Sequence, residues 1–201
     1  GPNTGGMGAI APCPFYTREI AHQCMEEIFL PTARAMVQER VPFSGCLFFG
    51  LMLTEDGPKV LEYNARFGDP ETQAVLSLMD SDLLTALGAV RDGNLREDMV
   101  SFRKGYACCV VAASKGYPGA FDKGYPIRVE GDINAQVHMA GVAAKDGTLV
   151  TNGGRVLAVT ATGDTLKQAI DSAYQAMDKV YFDNKYIRRD IGQSALKGLE
   201  G

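Results

Sequence analysis

The segment VLEYNARFGDPETQ, Val60 to Gln73, sets a carboxylate, an amide and a guanidinium at every second position: Glu62, Asn64 and Arg66. Side chains alternate between the two faces of a strand. These three therefore share one face, and Leu61, Tyr63, Ala65 and Phe67 share the other, which is expected to pack. The first face is a row of hard oxygen donors ending in a planar fork of N–H groups. Mg²⁺ takes carboxylate, amide-carbonyl and phosphate oxygens, and beside a nucleotide it keeps only one or two protein ligands. Arg66 falls about 7 Å beyond Asn64 along a strand, where it can grip a phosphoryl group bidentately. A solvent-facing polar stripe is the bland alternative. Two features weigh against it: the row is not the usual mixture of Lys, Glu and Thr, and it runs straight into Gly-Asp-Pro-Glu.

A second glycine-rich stretch opens the chain, GPNTGGMGAIAPCP at residues 1–14. Gly5, Gly6 and Gly8 let backbone N–H groups converge on an anion. The stretch is neither a Walker A loop nor a dinucleotide fingerprint, and a flexible connector remains open. It carries no initiator Met, as if it continued from something longer.

The elements that must position these residues follow from periodicity. A helix is expected from Thr17 to Arg40, with Thr17 as N-cap and Ile20, Cys24 and Ile28 on one face. Pro31 must kink or split it. Phe43 to Leu53 reads as a strand apolar on both faces and hence central. An Asp-Gly turn joins it to VLEYNARF as a hairpin. Asp69 is placed to cap a following helix with Pro70 at its first position and Glu71 in its first turn. Another helix spans about Asp82 to Val90. From about Ser101 short β runs follow, with a hairpin at Lys145 to Thr148. A last helix starts at Asp164-Thr165 and turns Leu166, Ala169, Ile170, Ala173, Ala176, Met177 and Val180 to a core. A boundary is expected near residue 100, between an α/β part at 1–100 and a small α+β domain at 101–193, with a tail at 194–201.

Composition excludes several classes. The net charge of −4 gives no basic footprint for nucleic acid. No apolar run approaches the ~20 residues of a membrane span, and no signal peptide is expected. The five cysteines are odd in number and form no CxxC pair, so reduced thiols in a cytoplasmic protein are expected. Cys108 and Cys109, inside YACCVVAAS, read as core residues. His22 reads as a surface residue. His138, in AQVHMAG, has no carboxylate or nucleophile motif beside it and is assigned no catalytic role.

Taken together, GPNTGGMGA, GLMLTEDGPKVLEYNARFGDPETQ and NGGRVLAVTATGDTLKQAIDSAY…YIRRDIG resemble the C-terminal half of the glycinamide ribonucleotide synthetases. These are the phosphoribosylamine–glycine ligases of purine biosynthesis, in the ATP-grasp superfamily. The resemblance covers nearly the whole chain, and RFGDPE is its most specific motif. It implies the C-terminal part of an ATP-grasp fold followed by a small α+β domain with a mainly antiparallel sheet. It also implies a reaction in which ATP phosphorylates the carboxylate of glycine and 5-phosphoribosylamine attacks the acyl phosphate, with Mg²⁺ or Mn²⁺ neutralising the phosphates. Carried over by position, Glu62 and Asn64 match the metal ligands and Arg66 lies beside the transferring phosphoryl. Asn3, Thr4, Gly5, Gly6, Met7 and Gly8 match a substrate-facing loop, while Asp69 and Glu71 shape the pocket, Asp69 partly as a helix cap. The nucleotide-gripping N-terminal half is a missing partner, so the isolated chain is expected to be inactive. Two alternatives stand beside this reading: a different ATP-grasp carboxylate–amine ligase or biotin-dependent carboxylase component, and a module that has lost catalysis.

Overall fold

The computed structural model describes residues 2–200; Gly1, the first residue of the opening loop, and Gly201 lie outside them. The chain begins with strand β1 (Gly8–Ala11), helix α1 (Arg18–Cys24), a π-helical segment (Met25–Phe29) and α2 (Leu30–Gln38). Strands β2 (Phe48–Thr54) and β3 (Gly57–Asn64) precede helices α3 (Glu71–Leu76) and α4 (Leu83–Arg91). Then come β4 (Tyr106–Ser114), β5 (Arg128–Val129), β6 (Gln136–Met139), β7 (Val142–Lys145), β8 (Thr148–Thr151) and β9 (Arg155–Gly163). Helix α5 (Leu166–Asp178), β10 (Val180–Tyr181), β11 (Lys185–Tyr186) and α6 (Gln193–Glu200) complete it. The result is a mixed α+β chain whose sheets are antiparallel throughout.

The chain divides into two compact units. The first joins the segment up to Pro12, Asp69–Leu78 and everything from Arg103 on. Its sheet has the order β1-β4-β9-β6, with β11 also pairing β4. Strand β4 is buried almost end to end because both its faces are covered. Cys108, Val110 and Ala112 point into the cluster made with α5; Ala107, Cys109, Val111 and Ala113 join Met7, Ala74 and Leu78 in a cluster with α3. That period of two explains why YACCVVAAS reads as an unbroken apolar run. All seven residues predicted to face a core from the last helix are buried. The Lys145–Thr148 hairpin forms with Asp146 and Gly147 both at positive φ, as a primed two-residue turn requires.

Helix α5 starts in a capping box: Thr165 Oγ1 accepts from the Gln168 N–H at 3.2 Å, and Gln168 Oε1 accepts from the Thr165 N–H at 3.1 Å. Thr165→Ala should therefore cost about 1 kcal/mol and Thr165→Ser much less, read as a shift in the urea midpoint at unchanged slope. The chain after α5 is not inert. Residues 193–200 form α6, with Ala195 buried and Leu196 packed against the α5 cluster.

The second unit joins Cys13–Gly68 and Met79–Phe102. Thr17 caps α1 as expected. The widened π-helical turn lies directly ahead of Pro31, where the ring removes a backbone donor, so the helix path swells instead of breaking. Asp82 caps α4, accepting from the Thr85 N–H at 2.6 Å. Strand β2 corrects an expectation. It is not central: among the described residues it pairs with β3 alone, in a two-stranded sheet, and its C-terminal residues Met52 and Leu53 are exposed. The face of β3 expected to pack is likewise largely open, with Leu61 64% and Tyr63 53% exposed. Leu61 is the extra residue of a bulge in β3, outside the register with β2. Tyr63 is partly held through Phe49, which in turn packs on Phe29.

All five thiols are free. Burial pushes Cys108 up to about 12 and Cys109 up to about 11, so both stay protonated at pH 8. A disulfide reagent at that pH should modify exposed Cys13 first and half-buried Cys46 more slowly. Cys24, Cys108 and Cys109 should react only on unfolding, which peptide mass mapping would show directly.

Candidate active site

In the second unit, β3 carries Glu62 and Asn64 on one face, and the Asn64 Nδ2 donates to Glu62 Oε1 at 2.9 Å. The register explains why the Glu62 side chain has room. Glu62 lies opposite Gly50, beside a bulge in β3 at Leu61, and a Cβ on Gly50 would sit 2.8 Å from Glu62 Cγ. The hydrogen bond orients the pair and leaves the Asn64 amide oxygen and the second Glu62 oxygen available to a hard cation. No cluster of three or more His, Cys, Asp or Glu suited to a metal occurs among the described residues. Two oxygen donors nevertheless suit Mg²⁺ when nucleotide phosphates and water complete its shell. Arg66 lies past the end of the strand, so alternation covers only the first two residues of the row. Its Nη1 donates to Phe67 O at 2.9 Å.

RFGDPE is divided between the units after Gly68, and Asp69 and Glu71 belong to the first. Asp69 does not cap α3: the N-cap is Pro70, with no side-chain cap bond. Its carboxylate is held instead by Arg155, the first residue of β9, with Nη2 to Oδ2 at 3.2 Å, and by Gln73 Nε2 to Oδ1 at 3.0 Å. Arg155 Nη1 also donates to Gly5 O at 2.7 Å, Gly6 O at 3.3 Å and Asp69 O at 2.7 Å. One guanidinium thus ties the opening loop to the Asp-Pro-Glu turn. Glu71 takes the first turn of α3.

Loop residues Asn3 to Gly8 are more constrained than a connector. The Gly5 N–H donates to Tyr117 OH at 2.9 Å and the Gly6 N–H faces Thr4 Oγ1 at 3.3 Å, so these donors are engaged with hydroxyls and do not form an open anion nest. Met7 is buried in the α3 cluster, and Gly8 opens β1. Tyr117 reaches the loop because Gly154 has no side chain; a Cβ there would sit 2.3 Å from Tyr117 Cδ2. Asn3 is exposed.

Beside this loop lies a cavity of about 510 Å³ lined by Thr4, Met7, Lys115, Tyr117, Tyr186 and Arg188. Its lining includes two cations from distant segments, Lys115 and Arg188. Lys185, in β11, turns elsewhere: its Nζ donates to Met177 O and Val180 O at the end of α5. Burial pushes its ammonium down from the ordinary value, with nearby Asp178 opposing the shift. Arg155 was not among the residues singled out from sequence. The one available signal for Arg155 was a lone guanidinium at the head of an apolar strand, directly after two glycines.

The hairpin, the turn that follows it and the helix-covered antiparallel sheet are those of the C-terminal part of an ATP-grasp fold. The phosphoribosylglycinamide synthetase ATP-grasp (A) domain family matches residues 1–72, and the C domain family of the same enzymes matches residues 107–194. The chain belongs to the phosphoribosylglycinamide synthetase family. It is 48% identical over 194 residues to the phosphoribosylamine–glycine ligase of Clostridium acetobutylicum, covering 96% of this chain and 47% of that protein. The crystal structure of the Thermotoga maritima phosphoribosylamine–glycine ligase matches with a TM-score of 0.84 at 41% identity, over 95% of this chain and 47% of that one. A Kluyveromyces lactis urea carboxylase matches with a TM-score of 0.66 at 15% identity, over 96% of this chain and 17% of that one, a likeness of fold alone. The chain thus spans about half the length of the ligases it matches.

Proposed function

We propose that these residues form the metal-ligand and C-domain side of a phosphoribosylamine–glycine ligase, which joins glycine to 5-phosphoribosylamine and converts ATP to ADP and phosphate. The observation that carries the reading is the oriented Glu62–Asn64 pair, two hard oxygen donors on one strand just ahead of Arg66. When bound there, Mg²⁺ or Mn²⁺ would neutralise the nucleotide phosphates and polarise the transferred group. Arg66 grips the phosphoryl as it passes to the glycine carboxylate, by charge and by two parallel N–H bonds. Arg155 holds Asp69 and the opening loop, so that Asn3 to Gly8, Asp69 and Glu71 present one substrate-facing wall. Lys115 and Arg188 give the adjoining cavity the charge to seat the phosphate of the sugar amine.

On this reading the 201 residues do not turn over alone, because adenine and phosphate contacts belong to the part of the relatives that they do not span. Among the described residues no helix is long and apolar enough to cross a membrane, and the cytoplasmic setting is the one that a ligase of purine biosynthesis implies. The alternative of a biotin-dependent carboxylase component rests on likeness of fold only. The test is ADP release by the full-length protein with Mg·ATP, phosphoribosylamine and a series of small carboxylates. Release that depends on glycine supports the ligase. Release with another carboxylate, or none with any, overturns it.

A further inference from the structure

The cavity of about 510 Å³ beside the opening loop is built wholly from residues of the first unit. Two of its lining side chains, Thr4 and Tyr117, carry hydroxyls that are already half used. The Gly5 N–H donates to the Tyr117 oxygen at 2.9 Å and the Gly6 N–H to Thr4 Oγ1 at 3.3 Å. A hydroxyl that accepts through one lone pair keeps its own hydrogen to give. Neither hydrogen is taken by an acceptor among the described residues. Accepting from a backbone N–H also polarises an O–H and strengthens it as a donor. The two loop N–H groups do not form an open nest, but they can act on the cavity through these two hydroxyls.

The charge on the lining has one sign. Lys115 follows β4, and its ammonium has no ion-pair partner among the described residues. Arg188 is held in place from α5: the Tyr174 hydroxyl donates to Arg188 O at 2.7 Å and accepts from the Ile191 N–H at 3.1 Å. Asp190 accepts from Arg188 Nε at 2.8 Å and from Nη2, which fixes the plane of the guanidinium and leaves its Nη1 end. Asp190 is not itself on the lining, and no carboxylate is; every polar side chain there is a hydroxyl or a cation. Such a set suits an anion with several acceptor oxygens, and phosphate above all. The volume exceeds what a bare phosphate fills, and Met7, Pro118 and Tyr186 offer apolar surface for a carbon skeleton.

We propose that this cavity binds the dianion of a phosphate monoester and that the Tyr117 and Thr4 hydroxyls are two of its direct donors. The proposal rests on the reading of this cavity as the seat of the sugar amine's phosphate, and adds to it the ligand atoms and a selectivity. Lys115 and the Nη1 end of Arg188 supply two cations to a group whose three terminal oxygens all accept, so the site favours two charges over one. The loop contributes without touching the ligand: Gly5 and Gly6 set the direction in which each hydroxyl gives its hydrogen.

The experiment is calorimetric titration of the full-length protein with ribose 5-phosphate, with saturating Mg·ADP present to fill the nucleotide site. Tyr117→Phe and Thr4→Ala are each expected to weaken binding roughly tenfold, the loss of one hydrogen bond to a charged group. Thr4→Ser keeps the hydroxyl and should bind like wild type. O-methyltyrosine in place of Tyr117 keeps the oxygen that serves Gly5 and removes only the hydrogen, so it should bind as weakly as Tyr117→Phe. A measurement on wild type needs no variant: ribose 5-sulfate, the same shape with one charge fewer, should bind at least ~10-fold more weakly than the phosphate. Wild-type affinity in Tyr117→Phe and Thr4→Ala, equal affinity for the two esters, or tighter binding of inorganic phosphate than of ribose 5-phosphate would overturn the proposal. The ligase reading fails separately. Ester binding of this pattern without glycine-dependent ADP release would overturn that reading and leave the site, whereas glycine-dependent release without the pattern would overturn the site alone.

Discussion

Glu62→Ala in the full-length protein is expected to lower glycine-dependent ADP release by at least ~10²-fold while leaving the folded state almost unchanged. The catalytic half of this expectation follows from charge. A metal that polarises a phosphoryl oxygen supplies several kcal/mol of transition-state stabilisation, and each ~1.4 kcal/mol is a factor of ten. Glu62 is the only carboxylate in the pair, so its loss leaves one neutral amide to hold the cation. The structural half follows from exposure: Glu62 stands in the open on β3, opposite a glycine, and its removal opens no cavity. Glu62→Gln should show a similar loss, with part of it recovered at high Mg²⁺. Asn64→Ala should lose less, because the charge remains. The check is steady-state ADP release across a Mg²⁺ series beside thermal denaturation of the same samples. Wild-type turnover in Glu62→Ala at all Mg²⁺ concentrations would place the metal elsewhere.

Arg155→Ala is expected to destabilise the first unit by about 3 kcal/mol. Hydrogen bonds to a charged group are each worth about 1.5–3 kcal/mol, and here several converge on one side chain that is 23% exposed. They are not additive, and partial exposure lowers the ion-pair share. At about 2–4 °C per kcal/mol for a chain of this size, the melting temperature should fall by roughly 6–12 °C. Arg155→Lys should recover little, since an ammonium cannot span the Gly5 and Asp69 carbonyls and the Asp69 carboxylate with one planar fork. The accompanying sign is faster amide exchange at Gly5 and Gly6. A variant that melts with wild type would mean that the loop and the turn hold their positions without the guanidinium.

Local signals were legible where one segment carries its own instruction. Thr165 with Gln168, the apolar stripe of α5 and Asp146-Gly147 each specify an element through neighbours within a turn or two. The two-sided burial of Cys108 and Cys109 was legible too, because an uninterrupted apolar run has few other uses. Features that depend on distant segments were not legible. Residues 8–11 look like the rest of a glycine-rich loop and become a strand only because β4 offers an edge. Asp69 has the composition of a cap, yet Arg155 competes for its carboxylate from across the sheet. The alternation of β3 correctly put Glu62 beside Asn64. The same alternation promised packing for Leu61 and Tyr63, and alternation alone carries no information on how many strands flank a hairpin.

The pairing of β1 with β4 has a consequence for the order in which the molecule can assemble during synthesis. Ala11 pairs with Ala107 and Gly8 with Val110, so the strand leaves the ribosome well before its template. At about 5–20 residues per second the wait is roughly 5–20 s. All of the second unit, Cys13–Gly68 and Met79–Phe102, is made in that interval and can fold first, looped out between two ends of a sheet that does not yet exist. Even then β4 has only one cover, since α3 is already made while β9 and α5 are still to come. The apolar strand buried on both faces in the finished molecule is therefore the segment most in need of protection while the chain is growing. Its sheet closes last, from the C-terminal end backwards onto β1.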